Sequence, residues 1–284
     1  MIQKRIECPF PTSIYHTVTA HGWVNLAPWR WDSNNNELSR LERLWNGRLA
    51  LVKVSQADIR NLVVQTDAET LGQRDDAKIE STVKRWLSIN WDPRAAIRTA
   101  ATLDPGIVFF IKQGGGRFLR SSTFYEDFVK TICTINTNWA STRRMVLSLV
   151  NQLGDGVFPT PLKIMDCGEG NLRQELRLGF RARVLADTSS QLLGQGWIDD
   201  QGNLIRENLA FEDLIALRGI GEYSASHIMM LTNDFRRIPI DSEVTRYCRE
   251  NYDVEPEDID SFFNMWGDYR FLGYKIHRII GGSN

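Results

Sequence analysis

The sequence predicts an α+β fold, in which an N-terminal antiparallel β-sheet subdomain precedes a mostly α-helical core. Short alternating or β-branched runs occupy about residues 15–66, and no long helical segment separates them, which favours antiparallel pairing. From Asp76 onward the apolar residues recur at helical spacing. Because 284 residues exceed one usual compact core, we expect a β-rich subdomain over 1–75 and a helical core over 76–284.

Three runs predict the strands: YHTVTAHGWVNL (15–26), LALVKVSQ (49–56) and NLVVQTD (61–67). Between the first two, DSNNNELS (32–39) is typical of a turn. The first helix of the core is predicted over 76–89, where Ile79, Val83 and Trp86 share one face.

Glycines then separate the predicted helices. Gly114, Gly115 and Gly116 predict a loop, and residues 123–154 predict two helices that are interrupted at the polar sequence NTN. Residues 170–193 and 207–234 each predict a helix, a short glycine turn and a second helix.

The composition excludes several classes of protein. The net charge of −1 argues against a protein that coats nucleic acid, although clustered arginines leave room for a local patch. No apolar run is long enough to span a membrane, and the N-terminus has no signal-peptide pattern, so we expect an intracellular location: cytoplasm or nucleoid, or the nucleus of a eukaryote. The four cysteines are scattered, which excludes an iron–sulfur cluster in the C-terminal part.

The most informative segment is a tight turn between two helices. One helix is predicted to end at Leu217, and the next to begin near Glu222. Gly219 and Gly221 permit backbone conformations that a Cβ atom would block, while Ile220 plugs the gap between the helices. The amides of such a turn point outward and form an anion site, which holds a DNA phosphate without reading sequence.

Asp241 is the second feature. It follows the extended apolar sequence Ile238-Pro239-Ile240 and opens another helix, so that taken alone it is an ordinary N-cap. Only one helix separates it from the glycine turn, however. We therefore expect its carboxylate to lie at the mouth where the turn would deliver DNA.

Taken together, these motifs resemble the helix-hairpin-helix DNA glycosylases, in the branch of the alkyladenine and 8-oxoguanine glycosylases. The resemblance rests on HGWVNLAPWRW (21–31), TFYEDFVKTICTINTNWAS (123–141), LGFRARVL (178–185), LRGIGEYSA (217–225) with IPIDSEV (238–244), and WGDYRFLGY (266–274). It implies a helical core of two subdomains with the DNA and base cleft between them. It also implies a base-excision repair enzyme that acts on double-stranded DNA containing a damaged base.

The resemblance implies a role for each matching residue. Asp241 corresponds to the essential carboxylate, and the amides of Gly219 and Gly221 to the groups that grip a phosphate. Asn136 corresponds to a residue that fills the gap left by the extruded base, Phe180 to a wedge, and Arg181 to an arginine that faces the partner base. The carbonyls implied to hold a monovalent cation are those of Ile215, Leu217 and Ile220. No other cofactor is expected, and the protein is expected to be a monomer.

One departure from the family pattern concerns the chemistry. Glycosylases that also cut the strand carry a lysine two residues after the second glycine, where this chain has Tyr223. A phenol is a poor substitute for an amine that forms a Schiff base, which predicts monofunctional hydrolysis with Asp241 stabilising the oxocarbenium-like sugar or activating water. Lys275 is the only lysine beyond the hairpin, and the sequence does not fix its position.

The expected substrate is an alkylated base. Tyr274 and Arg278 stand where 8-oxoguanine enzymes carry an amide and an aromatic residue, and an alkylated purine with a positive charge already has a weakened glycosidic bond. The candidate pocket walls are aromatic: Tyr223, Trp23, Trp139, Trp266 and Tyr274. Two alternatives remain open, namely a glycosylase/lyase for oxidised purines and a non-catalytic module that binds DNA damage.

Overall fold

The computed structural model describes residues 2–282. Its strands are β1 (Ile2–Glu7), β2 (Arg30–Asp32), β3 (Glu37–Arg43), β4 (Leu49–Asp58) and β5 (Asn61–Thr66). Its helices are α1 (Ile14–Thr19), α2 (Gln73–Trp86), α3 (Arg94–Ala101), α4 (Pro105–Lys112), α5 (Phe124–Thr134), α6 (Trp139–Leu153), α7 (Pro161–Gln174), α8 (Arg181–Gly194), α9 (Phe211–Ile215), α10 (Glu222–Leu231), α11 (Ser242–Tyr252), α12 (Ile259–Phe262) and α13 (Arg270–Gly281). Short 3₁₀ turns lie at Gly22–Asn25, Pro256–Asp258 and Asn264–Tyr269.

The strands form one antiparallel sheet in the order β1-β5-β4-β3-β2. This confirms the predicted α+β fold, and β4 and β5 occupy the runs predicted at 49–56 and 61–67. In β4, Ala50, Val52 and Val54 are buried in alternation, as a sheet with one covered face requires. Strand β1 was not predicted, because only Ile6 of its six residues is buried and the apolar signal is weak.

The strand predicted at 15–26 is wrong. Ser13 caps α1 by accepting a hydrogen bond from the His16 amide at 3.2 Å, and a 3₁₀ turn follows at Gly22–Asn25. The side chains of Ile14 and Val18 are fully buried, four residues apart, which is the spacing of a helix face. The β-branched residues of the segment favour a strand, but the serine cap and the four-residue spacing of the buried side chains specify a helix.

The predicted helices of the core are present. Ile79, Val83 and Trp86 are buried along one face of α2, the NTN sequence separates α5 from α6, and Gly154 caps the end of α6. The first helix of the hairpin ends at Ile215, two residues before the predicted Leu217.

A buried ion network joins the sheet to the helices. Arg40 of β3 donates two hydrogen bonds to the Glu126 carboxylate of α5, at 2.9 and 3.0 Å. The ammonium of Lys130 lies 2.7 Å from the same carboxylate, and all three side chains are at most 1% exposed. Burial alone would raise the pKa of Glu126, but the charges of Arg40 and Lys130 lower it to about 2. One continuous apolar core also includes residues of both parts, from Ile6 to Ile276.

Within residues 2–282, no helix is long and apolar enough to cross a membrane. Cys8, Cys133, Cys167 and Cys248 are all free thiols. The same residues contain no group of three or more His, Cys, Asp or Glu side chains that could hold a metal ion.

The network predicts a large effect of Glu126→Gln on stability. The neutral amide would leave Lys130 buried without a carboxylate and Arg40 with Glu42 alone, and breaking such a buried set costs about 3–5 kcal/mol. Urea unfolding measures the change. The matched control is Glu80→Gln, whose carboxylate pairs with Lys4 and Lys84 at the surface and should change stability by less than about 1 kcal/mol. Equal effects of the two variants would contradict the role assigned to the network.

Candidate active site

The tight turn between α9 and α10 depends on Gly219. Gly219 has a φ of +81°, and a Cβ atom built on it would lie 2.7 Å from Cγ2 of Val184 in α8. Ile220 is buried between the helices, as predicted, and its amide donates to the Leu217 carbonyl at 3.1 Å. Arg218 reaches Asp187 of α8 at 3.4 Å. The turn is therefore held against α8 by close packing.

Gly221 plays a different part from Gly219. It is the N-cap of α10 with an extended φ of −99°, and a Cβ atom there would meet nothing within 4 Å. No hydrogen bond within residues 2–282 occupies the amides of Gly221, Glu222 and Tyr223. The start of α10 thus presents unpaired amides next to open space, which is the geometry of an anion site at a helix N-terminus.

Asp241 caps α11 with one oxygen only. Its Oδ1 accepts a hydrogen bond from the Val244 amide at 2.8 Å. No donor in the described part of the chain contacts Oδ2. The cap fixes the orientation of the half-buried carboxylate and leaves one oxygen available to a ligand or water.

Tyr223 is the second residue of α10. Its hydroxyl is 3.4 Å from that of Thr134, at the end of α5. Burial raises the pKa of Tyr223 and the negative charge of Asp241 adds to the rise, against the hydrogen bond between the two hydroxyls of Tyr223 and Thr134. The phenol is therefore neutral at pH 7, and Tyr223 connects the hairpin to α5.

A stack of rings extends inward from Tyr223, and the sequence analysis missed its histidines. His227 stands four residues after Tyr223 on the same helix face, with ring centres 5.8 Å apart. The ring of Trp23 stacks on that of His227 with centres 4.8 Å apart, and the ring centre of His21 lies 6.4 Å from that of His227. Burial, helped by the charge of Lys275, lowers the pKa of His227 to about 3. Its Nε2 is buried without a partner among residues 2–282.

Lys275 lies on α13 and is half-buried. Burial and the charge of Arg278 lower its pKa to about 8, while the charges of Asp241 and Glu243 oppose that shift. Arg278, one turn further along α13, forms an ion pair with Glu243 of α11 and donates to the hydroxyl of Tyr274 at 3.0 Å. The start of α11 and the middle of α13 are thereby held together.

Two further turns are joined by Arg181. Its guanidinium donates to the carbonyl of Ile135 and lies 4.5 Å from the ring centre of Phe180. Phe180 is 47% exposed, and the neighbouring Asn136 is exposed with a φ of +46°. Both therefore have the accessibility that a wedge and a gap-filling residue need. Arg181 differs from its prediction: it is only 7% exposed and is engaged with Ile135, so it positions the two turns and does not extend toward a partner base.

The other aromatic residues predicted to line the base pocket differ in their exposure to solvent. Trp139 begins α6 and is 39% exposed. Trp23, Trp266 and Tyr274 are at most 4% exposed, and the indole of Trp23 donates to Asp127 at 3.0 Å. These three rings belong to the apolar core and offer no face to a base. Tyr223 and Trp139 are the predicted walls that remain accessible.

The fold of the chain is found in solved structures. The chain superposes on a 3-methyladenine DNA glycosylase from Archaeoglobus fulgidus with a TM-score of 0.70 and 18% identity, over 96% of this chain and 97% of that one. The chain has the fold of the helix-hairpin-helix DNA glycosylases. It also matches the Clostridium acetobutylicum 8-oxoguanine glycosylase/lyase, bound to DNA with cytosine opposite 8-oxoguanine, with a TM-score of 0.61 and 16% identity over 93% of both chains.

A third similar structure is the Schizosaccharomyces pombe 3-methyladenine DNA glycosylase Mag1 bound to abasic DNA. The TM-score is 0.50 and the identity 18%, over 64% of this chain and 95% of that one. No protein-family model and no curated protein matches the sequence. The resemblance inferred from the motifs is thus confirmed at the level of the fold.

We expect replacement by alanine to affect stability strongly at one hairpin glycine and weakly at the other. Gly219→Ala should destabilise the protein by at least about 1–2 kcal/mol, because alanine is strained in the left-handed region and its Cβ would also clash with Val184. Gly221→Ala should change stability by less than about 0.5 kcal/mol, since its Cβ enters open space. Urea unfolding of both variants measures the contrast. A Gly219→Ala variant as stable as Gly221→Ala would refute this account of the turn.

Proposed function

We propose that the protein is a base-excision repair glycosylase, which hydrolyses the N-glycosidic bond of a damaged base flipped out of duplex DNA. The observation that carries the proposal is the pairing of two features. Unpaired amides at the start of α10 face open space, and Asp241, which follows that same helix, carries an oxygen, Oδ2, that has no donor within residues 2–282. An anion site for a phosphate next to an oriented carboxylate is what hydrolysis at a DNA sugar requires.

The steps follow from the placement of the side chains. The hairpin amides hold the DNA backbone, and a monovalent cation on the carbonyls of Ile215, Leu217 and Ile220 would reinforce that grip. Phe180 and Asn136, on two exposed turns joined by Arg181, enter the duplex and offset the cost of unstacking the target nucleotide. Asp241 then stabilises the positive charge that develops on the sugar and accepts a proton from the attacking water.

The proposed enzyme is monofunctional and acts on alkylated bases. Tyr223 occupies the position of the usual Schiff-base lysine, and its phenol is neutral and held by Thr134. The aromatic rings of Tyr223 and Trp139 provide flat faces for a purine. Arg278 is engaged with Glu243 and Tyr274 and so does not extend toward a base. The proposed partner is damaged duplex DNA, bound by an intracellular monomer that needs no other cofactor.

Asp241→Asn tests the assignment of the carboxylate. Asparagine is as good an N-cap as aspartate, so α11 should stay folded, while base release should fall at least about 100-fold because the negative charge is lost. Single-turnover release of the base from a duplex with one lesion measures the rate. Asp104→Asn, the same change at the cap of α4, is the matched control. Full activity of Asp241→Asn would show that the mechanism is wrong.

The fold is also similar to that of an 8-oxoguanine glycosylase/lyase, which favours one alternative, a glycosylase/lyase for oxidised purines. The reaction products distinguish the monofunctional glycosylase from the glycosylase/lyase. Monofunctional hydrolysis leaves an intact strand that breaks only on alkaline treatment, and no protein is trapped on DNA by borohydride. Direct strand breaks and a borohydride adduct would establish the lyase. Binding without release of any lesion base would indicate the non-catalytic module.

A further inference from the structure

A cavity of about 830 Å³ lies at the opposite end of α5 from the candidate active site. It is formed where β3, α2 and the start of α5 meet, together with the loops 157–160 and 199–203. Thr123 lines the cavity and precedes α5, whereas Thr134 at the other end of this helix contacts Tyr223. At 1.5 Å per residue, α5 separates the two places by about 16 Å. A small ligand in the cavity would therefore not overlap DNA held at the hairpin.

The floor of this cavity is built from buried charges. Arg40 and Glu126 line it, are each 1% exposed and are bound to one another. Beside them, Oε1 of Glu42 lies 2.6 Å from Nε of Arg40 and accepts a hydrogen bond from the Ser122 hydroxyl. The other oxygen of Glu42, Oε2, accepts no hydrogen bond within residues 2–282, and the side chain is 12% exposed. The floor thus offers an oriented carboxylate oxygen to a donor on a ligand.

Two cations in the wall of the cavity have no acidic partner. Lys78 of α2 is half-buried, and its ammonium makes no hydrogen bond or ion pair within residues 2–282. The guanidinium of Arg74, one turn earlier on α2, lies 5.6 Å from the ring centre of Trp45 and forms no ion pair in the same part of the chain. By contrast, Glu126 is paired in the buried network, and Asp199 accepts three hydrogen bonds from its own loop. The uncompensated charge at the cavity is therefore positive, which favours an anionic ligand.

The cavity also has aromatic walls. Trp45, between β3 and β4, is 62% exposed, and Phe158 lies in the loop before α7. Aromatic side chains of this kind stack on the flat face of any nucleobase. The volume lies within the range of small-molecule sites, about 300–1,000 Å³. The cavity thus combines free cations, a free acceptor and two rings.

We propose that this cavity binds a nucleoside monophosphate. The phosphate contacts Lys78 and Arg74. The base packs against Trp45 and Phe158, while an amino or hydroxyl group donates to Oε2 of Glu42. An inorganic anion has no ring for the aromatic walls, and an uncharged nucleoside leaves both cations unpaired. A nucleotide satisfies all three parts, and its binding does not depend on the proposed glycosylase function.

Isothermal titration calorimetry of the full-length protein tests the proposal with adenosine monophosphate, adenosine and inorganic phosphate. Adenosine monophosphate should bind at least about tenfold more tightly than either of the others, because it uses the cations and the rings together. Lys78→Gln should weaken adenosine monophosphate at least about tenfold and adenosine less than about twofold, since only the phosphate meets the ammonium. Trp45→Ala should weaken adenosine monophosphate and adenosine by the same factor, about fivefold or more.

The matched control is Lys84→Gln on the same helix. Lys84 pairs with Glu80 and does not line the cavity, so this variant should bind adenosine monophosphate as the wild type does. The side chains of Lys78 and Trp45 make no hydrogen bond within residues 2–282, so the urea unfolding midpoints of their variants should match that of the wild type.

Several results would overturn the proposal. One is the absence of binding up to about 5 mM adenosine monophosphate, and another is affinity no higher than that of inorganic phosphate. A loss in Lys78→Gln without a loss in Trp45→Ala would reveal an anion site that does not hold the base. Displacement of the nucleotide by abasic duplex DNA would place it in the DNA site instead. Because no arm measures base release, failure of this proposal and failure of the proposed function remain distinguishable.

Discussion

The candidate site depends on the hydrogen bond between the Val244 amide and one oxygen of Asp241. A helix cap and a catalytic carboxylate look like competing explanations of the same residue, yet here the first makes the second feasible. The cap uses Oδ1 and fixes the plane of the carboxylate, so Oδ2 is held in one direction without further support. A group that is oriented before the reaction need not be reorganised during it, which is the source of most electrostatic catalysis.

Contacts between distant segments also hold the turns around the site in place. Three contacts connect segments that are far apart in sequence: Gly219 against Val184, Arg181 on the Ile135 carbonyl, and Tyr223 beside Thr134. The first two join a loop to a helix of the core and the third joins two helices, so that exposed residues such as Asn136 and Phe180 stand on supported backbone. Exposed side chains on such turns can enter a duplex without first paying for the ordering of their loops.

The sequence predicted the parts of the structure whose signals are local. The glycine pattern at 219–221, the position of Tyr223 and the burial pattern of β4 and α2 are each contained in one short segment. The strand prediction for residues 15–26 failed because β-branched residues suit both strands and short helices, and a single serine cap decides between the two. The inward turn of Arg181 and the stack of Trp23 on His227 depend on contacts across the chain, which no local pattern encodes.

One residue of the hairpin changes the conclusion about the chemistry. A lysine two residues after the second glycine would bring its amine to the sugar, where it acts as a nucleophile. Tyr223 stands at that position here, and a neutral phenol is a poor substitute for an amine that forms a Schiff base. Cleavage of a glycosidic bond creates positive charge on the sugar and negative charge on the base. In the proposed reaction the carboxylate of Asp241 meets the positive charge on the sugar, so the fixed charge of the site is complementary to the transition state and not to the intact nucleotide.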